Sequence, residues 1–244
     1  MIPGQGGAVA ESRLPSGIRV VSEYLPWVRS VAVGVWVRQG SAHESGAELG
    51  SSHLLEHMIF KGTARRTPRE IAMALESLGG SLDAYTSREQ TSLQARVLDE
   101  HMPRAMDVLA DLALHPLLRE EDLELEREVV LEEVSTVEDT PDDLVFELHG
   151  EGLWRGHGYG HSILGTRESV SATRAEGLRR IHDDRYRGET IVLVAAGNVR
   201  HGDLMDEAER HFGAAPAGPR RQPVLPPGDV GRGEERVQRD SAQT

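Results

Sequence analysis

The chain has 244 residues, a net charge of −13 and no cysteine. That length can bury a core without covalent staples, and the missing cysteines exclude disulfides, thiolate metal sites and thiol nucleophiles, leaving His, Asp and Glu as the strong metal ligands. The acidity argues against a nucleic-acid partner, whose footprint is a basic patch; it suits a basic or neutral peptide partner, and equally suits plain solubility. Residues 1–11 are expected to be a disordered lead-in. They show no basic start and no apolar run, and no stretch of the chain is long enough to span a membrane, so a cytoplasmic location is expected.

The valine-rich segments SGIRVVSEYLP and SVAVGVWVRQG, bounded by Gly and Pro, predict two strands. Gly40 to Gly50 reads as a polar loop, and a helix then carries HLLEHMIFKGT (His53–Thr63) to about Phe60. TPRE predicts the next helix, with Thr67 as cap, Pro68 in the first turn and Glu70 closing a capping box; it ends near Gly79 and Gly80. SLDAYTS and TSLQARVL alternate as a hairpin. Helices are expected over about 100–114 and 120–138, and a short one from Thr140 and Pro141. HGEGLWRGHGYGHSILG predicts a loop, TRAEGLRRIHDDRY a helix, TIVLVAAGNV a buried strand and GDLMDEAERHF a helix. One domain over residues 12–213 is expected. A Pro/Gly-rich linker over 214–233 follows, then EERVQRDSAQT (234–244) as the start of a truncated second domain. Strands and helices mix without βαβ alternation, which predicts an α+β fold: two layers, a mixed or mainly antiparallel sheet, and helices on one face.

The chemistry concentrates in two helices. His53 and His57 stand four apart on one helix face, with Glu56 beside them and Leu54, Leu55, Met58 and Ile59 as packing. Two imidazoles one turn apart can grip one zinc ion. The plainer alternative is an amphipathic helix with ordinary histidines. On the second helix Leu123, Val130, Val134 and Val137 form an apolar stripe, and Glu126 and Glu133 fall on that same stripe. Glu124, Glu128 and Glu132 fall outside it. An inward carboxylate is costly unless paired or bound to metal. A third ligand with a supporting carboxylate would explain the pair; an arginine partner or a wet cleft would also do so. Three ligands with an open fourth position make a catalytic site, where a water of lowered pKa can lose its proton to Glu56 in amide hydrolysis.

HLLEH is the H-x-x-E-H signature of inverted zinc peptidases. With MIFKGT, GGSLDAYTSREQTS, EREVVLEEVSTVEDTPDD, ILGTRESV and YRGETIVLVAAGNV, in that order, the sequence resembles the insulinase/pitrilysin-type metallopeptidases, family M16. It is most similar to the class that holds the catalytic β-subunit of the mitochondrial processing peptidase and its bacterial relatives. The resemblance covers residues 12–213 and implies one zinc ion, with His53, His57 and Glu133 as ligands, Glu56 as general base and Glu126 supporting the site from behind the ligands. It implies that SLDAYTS is the edge strand that receives an extended peptide, with Asp83, Ala84 and Tyr85 as substrate contacts.

The implied activity is a zinc-dependent endopeptidase acting on extended peptides or small unfolded proteins. Family enzymes close two homologous halves around the peptide, so a second half-domain or subunit is the implied partner. Two alternatives accompany this reading. One is a non-catalytic peptide-binding or scaffold subunit of a processing-peptidase-like complex; such relatives usually lack an intact metal motif. The other is S-ribosylhomocysteine lyase chemistry, which uses a cysteine that this chain lacks.

Overall fold

The computed structural model describes residues 7–218, 223–228 and 230–233. In chain order the elements are β1 (Ala8–Arg13), β2 (Arg19–Tyr24), β3 (Ser30–Val37), α1 (Ser51–Ile59), α2 (Pro68–Glu76), β4 (Ser81–Thr86), β5 (Thr91–Leu98), α3 (Met102–Leu114), α4 (Glu120–Asp139), α5 (Pro141–Leu153), α6 (Arg167–Ala172), α7 (Ala175–Arg185), β6 (Ile191–Gly197) and α8 (His201–Phe212). The strands form one sheet in the order β1-β2-β6-β3-β5-β4. All neighbours pair antiparallel except β2 with β6, which run parallel. The fold is therefore α+β with a mixed sheet, as expected.

Strand alternation decides which face the helices cover. Val31, Val33, Val35 and Val37 of β3 are buried, as are Leu93, Ala95 and Val97 of β5 and Ile191, Leu193 and Ala195 of β6. Against that face lie α1, α3 and α8, contributing Leu54, Leu55, Met58, Ile59, Leu109, Leu112, Leu204 and Phe212 to the same core. Of the opposite phase, Ala32 and Arg96 are exposed, and Trp36 and Gln94 are half-buried.

Three local expectations change. The lead-in of residues 1–11 gives way to β1, which pairs with β2 from Ala8 onward; AVAESR is too polar to announce a strand, and only a distant partner makes it one. The glycine-rich loop begins later than predicted because α5 runs to Leu153 through Gly150 and Gly152. Each glycine costs the helix about 1 kcal/mol, and the backbone around them is packed against Gly160 and Gly231. The short helix α6, capped by the Thr166 side chain, was not foreseen. Among the described residues of the Pro/Gly-rich segment 214–233 there is no helix or strand. It lies against α5, where Gly231 N donates to Leu153 O at 2.7 Å. The strand-like start expected at 234–244 lies outside the described residues.

The entrance to α1 is built with care for its backbone. Gly50 caps it at φ 84°, a left-handed conformation that favours glycine. A Cβ on Gly50 would meet Leu164 O, and one on Gly165 would meet Leu49 O, each at 2.5 Å. The 164–165 backbone thus closes directly on the helix start. The free N–H groups of that start are taken by Glu44, whose carboxyl oxygens accept from Gly50 N at 2.7 Å and Ser52 N at 2.6 Å.

Glu44 is only 4% exposed, and burial pushes its carboxyl up to about 7 against the opposing pull of the Ser52 and Gly50 bonds. A raised carboxyl pKa means that the folded chain holds the proton more tightly than the unfolded one. Its contribution to stability is thus full below the unfolded value and is lost as pH rises through the folded value. Thermal melts of Glu44→Gln and the parent across pH 4.5 to 7 should therefore diverge, the parent losing on the order of 1–3 kcal/mol that the variant keeps. Parallel melting curves over that window would refute the assignment.

Candidate metal centre

Helices α1 and α4 lie against each other, and their facing sides carry the polar groups. Leu54, Leu55, Met58 and Ile59 turn α1 into the core, so His53 and His57 are left on the opposite side, facing α4. On α4, Leu123, Val130 and Val134 are buried while Glu132 is exposed. The same rotation brings Glu126 and Glu133 to α1.

His53 Nε2 stands 3.7 Å from Glu133 Oε2, and His57 Nε2 stands 3.8 Å from Glu133 Oε1. The two rings meet edge-on with centroids 4.7 Å apart. These separations are too long for hydrogen bonds. They are close to what one ion requires, because tetrahedral ligands 2.0–2.1 Å from zinc lie roughly 3.4 Å from one another. Ligand atoms of His53, His57 and Glu133 all fall within 4.8 Å of each other, and this is the one such cluster among the described residues.

The protonation pattern suits metal binding. Burial, and then the neighbouring His57, hold the His53 imidazole down to about 4, so it is neutral with a lone pair to give at pH 7. His57 Nδ1 lies 3.1 Å from Glu126 Oε2. An N–H donated to that carboxylate from Nδ1 leaves Nε2 bare and aimed at Glu133. On α1, two buried side-chain atoms have no hydrogen-bond partner among the described residues: His53 Nδ1 and Glu56 Oε2. A buried carboxylate oxygen left without a partner is costly, and an ion or substrate bound beside it would offset that cost. The donor set, two neutral imidazoles and one carboxylate, is that of catalytic zinc sites. The residues present fit the group.

Two neighbours were not singled out from the sequence. Lys61 Nζ contacts Glu126 Oε1 at 2.6 Å; its place four residues after His57 was a usable signal. Tyr186, directly after α7, is buried, and burial together with the charge of Glu56 pushes its phenol up. No local pattern marks it, since α7 reaches α1 only through the fold.

The proposed substrate residues divide between two faces. Ala84 pairs with buried Leu93 on the helix-covered side, whereas Asp83 and Tyr85 pair with Gln94 and Ser92 on the other. Strand β4 is an edge of the sheet, packed beside α1, where Thr86 Oγ1 donates to Ser52 O at 3.4 Å.

A sheet edge beside paired helices that converge two histidines and a glutamate defines a candidate metallohydrolase centre. Comparison with known proteins gives it a family. Residues 19–167 match the insulinase family, peptidase family M16, and residues 173–244 match the peptidase M16 inactive domain. An uncharacterized zinc protease of Mycobacterium leprae is 41% identical over 210 residues, covering 86% of this chain and 47% of that protein. The uncharacterized zinc protease YmxG of Bacillus subtilis is 43% identical over 199 residues, 82% of this chain and 48% of that one. Among solved structures, a Helicobacter pylori protease superposes with a TM-score of 0.84 at 20% identity, covering 92% of this chain and 54% of that one. Pitrilysin superposes at 0.81 and 23% identity, 94% of this chain and 25% of that one. The chain belongs to the M16 insulinase family. It spans about half the length of the curated relatives it matches.

Proposed function

We propose that this chain is the zinc-binding catalytic half of an endopeptidase that hydrolyses extended peptides or small unfolded proteins. The observation that carries the reading is the convergence of His53, His57 and Glu133, with Glu56 of the same helix as the histidines keeping a buried carboxyl oxygen that has no partner among the described residues. One zinc ion would be held by the two Nε2 atoms and the Glu133 carboxylate, with Glu126 fixing the ring of His57. When bound, zinc supplies Lewis acidity, polarising a carbonyl and making water easier to deprotonate.

The protein groups do the rest. Glu56 takes the proton of the attacking water and returns it to the leaving amine nitrogen. The free edge of β4 accepts an extended peptide by strand addition, which aligns the scissile bond along α1. Ala84, on the helix-covered face, is the substrate contact nearest the ligands in orientation; Asp83 and Tyr85 reach peptide side chains that point the other way. A second half-domain closes the site and excludes water from it.

The test is zinc content of the folded chain, followed by cleavage of an extended peptide in the presence of a second half-domain, read by mass spectrometry. Zinc near one per chain together with cleavage supports the proposal. A folded chain that takes up no supplied zinc sinks it. Peptide bound but never cut favours the scaffold-subunit reading.

A further inference from the structure

The polar row begun by the two histidines of α1 continues past the helix end. His53 and His57 share a face of α1, and Lys61 stands in the turn just beyond Ile59. Opposite them on α4 stand Glu133 and Glu126, seven apart. The contacts alternate across the gap: His53 to Glu133 at 3.7 Å, Glu133 to His57 at 3.8 Å, His57 to Glu126 at 3.1 Å, and Glu126 to Lys61 at 2.6 Å. The row begins at the metal ligands and ends on an ammonium group.

We infer that Lys61 is a positioning residue for the metal centre, acting through Glu126. Glu126 is 8% exposed, and a carboxylate so placed needs partners for both oxygens. Lys61 occupies Oε1, which leaves Oε2 to hold the Nδ1–H of His57. Without Lys61 the carboxylate is free to turn, and His57 loses the partner that sets its tautomer and ring angle.

The lysine is itself held in place. Its carbonyl accepts from Arg119 at 3.2 Å, and Arg119 is anchored to Asp122 at 2.6 Å. Position 61 is also the single lysine of the chain among 27 Lys and Arg residues. A compact ammonium fits beside a carboxylate already engaged by an imidazole, where the wide guanidinium fork would compete for both oxygens.

This inference rests on the metal-site reading, and the experiment separates the two. Zinc affinity is measured by chelator competition for the parent chain, Lys61→Met, Glu126→Gln and the double variant, with melting of each metal-free protein alongside. Lys61→Met should weaken zinc by about tenfold to a hundredfold and add nothing to the loss caused by Glu126→Gln, because both changes remove one linkage.

Unchanged affinity in Lys61→Met overturns the role of Lys61, as does a loss that adds fully to that of Glu126→Gln. A lysine with only a structural part would lower the melting temperature of the metal-free chain and leave zinc affinity alone. If Lys61→Met does not fold, acetylating the folded parent removes the same charge, since the side chain is 34% exposed and is the only lysine amine; the same weakening is then expected, and its absence overturns the role. No zinc on the parent chain at all overturns the metal site and the role of Lys61 together.

Discussion

Replacing Glu133 by alanine should abolish zinc binding while leaving the metal-free fold intact. Losing one of three protein ligands is expected to cost on the order of 4 kcal/mol, about a thousandfold in affinity. The fold should tolerate the change because Glu133 is 41% exposed and alanine is the best helix former. A calorimetric pair of melts checks both halves of this expectation. Zinc at a hundred times its dissociation constant stabilises the parent by about 2.7 kcal/mol. For a domain of this size each kcal/mol raises the melting temperature by about 2–4 °C. The parent melt should therefore move upward by several degrees on adding zinc, and the Glu133→Ala melt should not move. A variant that still shifts with zinc would remove Glu133 from the ligand set.

Glu56→Gln should have the opposite profile: zinc retained, cleavage lost. The substitution keeps size and shape, and Glu56 is not one of the three residues whose ligand atoms converge. What it removes is the capacity to accept a proton, and general base catalysis contributes about a hundredfold to ten-thousandfold. The assay pairs chelator competition for zinc with peptide cleavage in the presence of the second half-domain. Cleavage within a few-fold of the parent would deny Glu56 the role of base. Zinc lost along with cleavage would make it a ligand or a structural residue instead. Taken with Glu133→Ala, the pair separates holding the metal from moving the proton.

Local patterns carried a large part of this protein in plain view. The capping box at Thr67 and Glu70 is present as spelled by TPRE, because its bonds close within one turn. The rotation of α4 followed from its apolar residues: Glu124, Glu128 and Glu132 face solvent while Glu126 faces inward. Elements whose stability comes from distant partners were harder to see. AVAESR becomes a strand only because β2 lies alongside, and α5 continues as helix through Gly150 and Gly152 although neither glycine favours it. Lys61 was visible as a residue but not as a partner, since Glu126 lies 65 positions away and only the fold brings it within 2.6 Å.

The sequence by itself determined which side chains share a face: His53 with His57, and Glu126 with Glu133. Helical period is a local property, set by backbone geometry over a turn or two. Only the tertiary structure decided that the two faces meet. His57 and Glu126 are 69 residues apart, and their approach depends on where the sheet and its core seat α1 and α4. It also decided that Glu126 meets Nδ1 of His57 while Glu133 faces Nε2 from 3.8 Å, and that Ala84 and its neighbours look to opposite sides of β4. Such choices depend on the packing of whole layers, which no stretch of a few residues encodes.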